Sequence, residues 1–200
     1  YDTPLLDVLN QPEKLAEVRQ IMQEFSPPLN ACEEFEHFVF ITGITKFSQL
    51  SIFSTLNNIT NITMLPQYSA ICGITVDEAL DVFKPDIQVL AERYKCSYNE
   101  MVDKLKAKYD GYNFSMDSPD VFNPFSLTMA LKNKMVDSYW FGSGTPTYLF
   151  EQMKRFKTDI LSLEKNSASA SDFDAPTENM KTALPLLYQS GYLTIKDYNM

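Results

Sequence analysis

The feature that most constrains this chain is the run Phe38-Val39-Phe40-Ile41, four bulky apolar residues that turn at once into Thr42-Gly43-Ile44-Thr45-Lys46. A short unbroken apolar run predicts a strand over 38–42 buried on both faces, as in the middle of a parallel sheet. In open α/β sheets, ligands bind beyond the carboxyl ends of the strands. A hydroxyl, a glycine and a lysine at that edge suit a terminal phosphate or a positioned water. They equally suit a plain polar exit from a buried strand. One central strand cannot make a sheet, and the remaining sequence offers few others. The chain therefore reads as a piece whose partner strands belong to another segment. Its opening, Tyr1-Asp2-Thr3-Pro4, has no initiating methionine and points the same way.

Most of the remaining sequence carries helical signals. Leu15, Val18, Ile21, Met22 and Phe25 keep helical spacing after Pro12, and Pro27-Pro28 is expected to stop or kink that helix. Glu33, Glu34 and Glu36 then lead into the strand. Residues 46–70 are irregular, with an extended stretch around Ile62 to Leu65. Thr75-x-x-Glu78 and Ser97-x-x-Glu100 are capping boxes, and Pro85 restarts a helix between them, so three short capped helices follow one another. Asp110-Gly111-Tyr112-Asn113 is a turn. Asn123-Pro124 starts a helix to about Lys134, and Thr145-Pro146 starts another that ends near Phe156. Residues 166–178 read as a flexible loop, Leu184 to Ser190 as a short helix stopped by Gly191, and Tyr192 to Ile195 as a strand.

Charge and cysteine usage narrow the chemistry. The net charge is −9, placed unevenly: residues 1–100 carry 6 basic and 14 acidic side chains, residues 101–200 carry 11 and 12. That acidic front half argues against broad nucleic-acid binding, which needs clustered cations. Lys104, Lys106 and Lys108, or Lys154, Arg155 and Lys157, could form local basic faces but read first as solvated helix faces. Three scattered cysteines, Cys32, Cys72 and Cys96, make neither a disulfide framework nor a zinc site and suit a reducing, cytoplasmic setting. His37 is the only histidine, so no two-histidine metal site can form, and beside the strand it reads as structural. Asp2, Asp7 and Glu33 cannot be paired as catalytic acids from sequence alone. Three Asn-x-Ser/Thr matches, at Asn58, Asn61 and Asn113, read as chance. Gly142-Ser143-Gly144-Thr145-Pro146 has the look of a phosphate cradle but lacks the lysine of G-x-x-x-x-G-K-[ST], and reads as a tight turn and helix cap. The aromatic residues between Tyr109 and Phe141 read as core packing rather than base-stacking platforms. No apolar run approaches the roughly 20 residues of a membrane span.

Several segments, in order, resemble the bacterial AAA-ATPase-like family. They are Ile41 to Ser48, Ser51 to Asn58, Ile71-Cys-Gly-Ile-Thr75, Tyr109-Asp-Gly-Tyr-Asn-Phe-Ser115, Phe122-Asn-Pro-Phe-Ser-Leu127, Tyr139 to Leu149 and Tyr188 to Ile195. Tyr1-Asp2-Thr3-Pro4-Leu5-Leu6 is similar to the segment that follows the acidic Walker B strand in that family. The resemblance implies a mainly α fold with a few strands: the C-terminal part of an α/β P-loop ATPase core plus a helical lid region. It divides the chain into core with sensor strand (1–72), lid-like region (73–175) and the start of a winged-helix-like closing segment (176–200). It puts Thr42, Thr45 and Lys46 near a terminal phosphate and Asp2 at the cofactor side. ATP and magnesium belong to the intact protein, with none expected on this piece, because the P-loop lysine and the Walker B acids precede Tyr1. The same resemblance implies two missing partners, the N-terminal ATPase half and a C-terminal PD-(D/E)xK nuclease-like domain; nucleic acid is left open as a partner. The competing reading is a non-enzymatic helical protein-interaction module, docking through the aromatic surface around Tyr139 to Tyr148.

Overall fold

The computed structural model describes residues 3–8, 11–43, 59–140, 147–165, 167–174 and 180–198. They are mainly helical, and their one sheet has two strands. The chain divides into two compact units, Tyr1–Thr60 with Pro146–Leu193, and Asn61–Thr145 with Thr194–Met200.

In the second unit, β1 (Ile74–Thr75) pairs antiparallel with β2 (Val121–Phe122), setting Ile74 opposite Phe122 and Thr75 opposite Val121. Four helices follow the polar signals closely: α3 (Val76–Val82), α4 (Lys84–Tyr94), α5 (Tyr98–Tyr109) and α6 (Pro124–Asn133). Both capping boxes form. The Glu78 N–H donates to Thr75 Oγ1 at 3.2 Å while the Thr75 N–H donates to Glu78 Oε2 at 2.8 Å, and Ser97 and Glu100 repeat the exchange at 3.3 and 2.8 Å. At α6 the Asn123 side chain accepts the Ser126 N–H at 2.8 Å, with Pro124 next to it in the first turn. The apolar stripes of α4, α5 and α6 meet in a core containing Leu90, Ala91, Met101, Leu105, Leu127 and Ala130. Thr75→Ala and Ser97→Ala should each cost about 1 kcal/mol, additively, in denaturant titrations of this unit. The bonds from Thr75 and Ser97 hold both glutamates below their ordinary pKa of 4.5. Their contribution is therefore complete above pH 4.5 and is lost as pH falls through the lower folded values.

Two helices end on lysines in left-handed conformation, Lys95 (φ 52°) after α4 and Lys134 (φ 54°) after α6. The next N–H closes each end on a carbonyl five residues back, Cys96 on Ala91 at 3.1 Å and Met135 on Ala130 at 3.0 Å. Glycine usually fills this position, because a Cβ there costs about 1–2 kcal/mol.

The first unit holds α1 (Thr3–Leu6), α2 (Pro12–Ala31), a 3-10 turn at Glu33–Phe35, α7 (Thr147–Arg155), a second 3-10 turn at Ile160–Lys165, α8 (Ala170–Asp174) and α9 (Leu184–Gln189). Leu149, Met180, Ala183, Leu186 and Leu187 form its core, with Met153, Phe156 and Leu163 against them.

Five local expectations are corrected. Helix α2 runs through Pro27 and Pro28 to Ala31. Their fixed φ fits a helix, and each gives up its bond to the carbonyl four residues back, so the ladder is weakened only in the last turns before Ala31. Within the expected loop 166–178, Ala170–Asp174 is helical, started by Asp172 Oδ2 accepting the Ser169 N–H and hydroxyl, both at 2.7 Å. The expected extended stretch at Ile62 to Leu65 is a turn, closed by the Leu65 N–H on the Ile62 carbonyl at 3.2 Å. Neither 38–42 nor 192–195 forms a strand. A strand needs a neighbouring strand to form a hydrogen-bonded ladder, and among the described residues neither segment is paired in one. Phe38 and Phe40 are 81% and 47% exposed. Their rings, two residues apart as on one side of an extended backbone, stack at 6.3 Å and 9°.

Candidate functional site

Of the four residues singled out for nucleotide chemistry, only Thr42 is described; it is exposed and follows the stacked Phe38–Phe40 pair. Asp2, Thr45 and Lys46 lie outside the described residues, as does the loop Gly142 to Pro146. Thr42 alone cannot hold a nucleotide. Among the described residues no three His, Cys, Asp or Glu side chains stand together to hold a metal ion. His37, expected to be structural, is exposed, and so are Asp7, Glu33 and Glu34. Cys32, Cys72 and Cys96 are free thiols.

The polar constellation the structure does assemble lies elsewhere, around Tyr109 to Ser118 in the second unit. Tyr109, at the end of α5, is 4% exposed. Its hydroxyl donates to the Asp137 carbonyl at 2.7 Å and accepts the Asp137 N–H at 2.8 Å. Tyr94 accepts the Val136 N–H at 2.9 Å, and Tyr139 donates to the Met135 carbonyl at 2.8 Å. Three phenols thus hold the segment after α6, while Lys108 Nζ donates to Ser138 Oγ at 2.9 Å. Beyond the turn at Gly111 (φ +101°), Tyr112 bridges to Val121. Asn113 takes Thr194 on its main chain, its N–H donating to Oγ1 at 2.6 Å and Oγ1 donating to its carbonyl at 3.3 Å. Its amide also donates to the Ser118 carbonyl at 3.0 Å and to Asp120 Oδ1 at 3.2 Å. Ser115 donates to the Met64 carbonyl at 2.9 Å.

Burial pushes the Tyr109 and Tyr112 phenols above their ordinary 10.0. A buried hydroxyl already spent on backbone groups is no nucleophile or general base near neutrality. The cluster is a clasp that fixes strands, turns and the last residues of its unit. Sequence reading placed the turn at Asp110 to Asn113 and missed the clasp, because its partners are far along the chain; the only local hint was a tyrosine on each side of an Asp-Gly.

A family model described as "Predicted AAA-ATPase" matches residues 1–53. A protein of Azotobacter chroococcum mcd 1, described as "Uncharacterized protein in vnfD 5'region", is 32% identical over 195 residues. That alignment takes in 98% of this chain but 36% of the relative, so the chain spans about a third of that protein's length. No solved structure matches.

Proposed function

We propose that this chain is part of an AAA-ATPase-like protein. In that reading residues 1–72 complete an ATP-binding core, and the helical region from Gly73 moves as a lid with nucleotide state. The observation that carries it is the match of residues 1–53 to the family model. That span contains the apolar run and the Thr42 to Lys46 exit. The exposure of Phe38 and Phe40 supports it, since an apolar run without a ladder is what a central strand would leave when its neighbours come from another segment. The nucleotide, its magnesium and any P-loop belong to the intact protein.

The test is ATP turnover by the full-length protein. Thr42→Ala and Lys46→Ala should each lower kcat on the order of tenfold to a hundredfold, with the melting temperature unchanged, as expected for groups that stabilise a terminal phosphate. Wild-type turnover in both variants would refute the sensor assignment. Full-length protein that hydrolyses no ATP would remove the ATPase reading itself.

A second reading has its own support. The second unit has a separate apolar core and four capped or proline-started helices, which favours a helical protein-interaction module. A cooperative melt of the 200-residue chain, together with a full-length protein inert toward ATP, would favour it.

A further inference from the structure

The outer edge of the small sheet in the second unit is taken by a side chain where a strand would ordinarily lie. Val121 of β2 faces Thr75 of β1 on one side and Tyr112 on the other. The Tyr112 N–H donates to the Val121 carbonyl at 3.3 Å, and the Val121 N–H donates back to the Tyr112 carbonyl at 2.9 Å. Successive residues of a ladder bond alternately to its two sides, so the main-chain groups of Asn113 turn away from β2. There both meet Thr194 Oγ1, the N–H at 2.6 Å and the carbonyl at 3.3 Å. Residues 192–198 form no ladder of their own, although Tyr192-Leu-Thr-Ile195 has the composition of a strand. An open sheet edge is a template for another strand, and covering it with a loop is one way such pairing is prevented.

The cover is incompletely satisfied. Asp110 Oδ1, on the turn that leads into Asn113, is buried, and so is the hydroxyl of Tyr198 in the covering segment. Among the described residues neither atom has a hydrogen-bond partner. A buried polar atom without a partner opposes the packing that buries it. One hydroxyl, that of Thr194, holds the edge, and another, that of Tyr198, works against the hold.

We propose that residues 194–198 are an autoinhibitory strap, and that the Asn113 edge beneath them docks an extended peptide by strand addition when the strap lifts. The incoming peptide pairs its own N–H and carbonyl with those of Asn113, two backbone bonds in place of one hydroxyl. The strap shows the chemistry that fits, a β-branched residue between apolar neighbours, as in Leu193-Thr194-Ile195.

The test follows the anisotropy of a fluorescein-labelled synthetic peptide with the sequence of residues 192–198, titrated with the 200-residue chain. Thr194→Val keeps the shape and removes the latching hydroxyl. It should bind the peptide at least about tenfold more tightly than wild type, because a larger share of the population has its edge free. Thr194→Ser keeps the hydroxyl and should bind as wild type does. A peptide with proline in place of its threonine lacks the N–H that the carbonyl of Asn113 needs, and should not bind. Amide exchange at Asn113 reads the strap without any peptide. It should be about tenfold faster in Thr194→Val and slower than wild type in Tyr198→Phe, which loses the hydroxyl that has no partner and keeps the ring. Tyr198→Phe preserves the packing, so it decides the matter even if Thr194→Val does not fold. No gain in peptide binding by Thr194→Val, equal binding of the proline peptide, or Asn113 exchange in Tyr198→Phe as fast as in wild type would each overturn the proposal. None of these outcomes depends on ATP turnover.

Discussion

Gly73→Ala should lower the stability of the second unit by about 3 kcal/mol, and its melting temperature by about 15 °C. The reason is steric. A Cβ built on Gly73 would lie 2.5 Å from Val121 Cβ and 3.1 Å from Val121 Cγ1. Val121 is 1% exposed and sits in β2 opposite Thr75, with its N–H and carbonyl both bonded to Tyr112, so neither its side chain nor its backbone can step aside cheaply. Gly73 is not among the residues with positive φ, so the backbone itself would accept alanine. That separates two explanations that are usually confounded. If crowding is the cause, Val121→Gly, which also removes the Cβ, should make the double variant less destabilised than the sum of the singles. Additive effects of the two substitutions, or a Gly73→Ala variant within about 0.5 kcal/mol of wild type, would show that the approach of Gly73 to Val121 does not constrain the pairing of β1 with β2.

What was legible in the sequence divides along a physical line. The two capping boxes, the Pro85 restart and the Asn123-Pro124 start were legible because each is a bargain among residues no more than three positions apart, and the structure realises all of them. Pro27-Pro28 misled for the converse reason: whether a proline ends a helix depends on where the helix would otherwise stop, and α2 was within a turn of its end. The run at 38–42 carries real strand character in its composition, but a strand is a property of two segments, and no ladder is present beside it among the described residues. The candidate site shows the same limit. Thr42 could be placed, whereas Asp2, Thr45 and Lys46 lie outside the described residues. The clasp was illegible because Tyr109 and Asp137 are 28 positions apart, Tyr94 and Val136 are 42, and Asn113 and Thr194 are 81. Nothing in local periodicity announces a phenol that will meet a backbone amide at such a distance.

Tyr109→Phe tests that clasp and should cost about 2–3 kcal/mol, well beyond what loss of one exposed hydrogen bond brings. One oxygen satisfies both the N–H and the carbonyl of Asp137, at 2.8 and 2.7 Å, on a side chain that is 4% exposed. Phenylalanine fills the same space and leaves those two backbone groups without their partner, so the loss is of hydrogen bonding and not of packing. Tyr139→Phe, which gives up a single more exposed bond to the Met135 carbonyl, should cost less than about 1 kcal/mol and serves as the control. Amide exchange at Asp137 should accelerate in the Tyr109 variant and stay near wild type in the Tyr139 variant. Alkaline pH supplies an independent readout. Burial raises the folded pKa of Tyr109 above 10.0, so between the unfolded and folded values the native state retains a proton that the unfolded chain releases. The contribution is complete below pH 10.0 and is lost as pH rises through the folded value. Stability of wild type should therefore decline above that pH. The decline should be shallower in Tyr109→Phe, which keeps only the share owed to other groups such as Tyr112. An alkaline limb of the same slope in both proteins, with an unchanged midpoint at neutral pH, would mean that Tyr109 merely fills space and that the segment after α6 is held by other contacts.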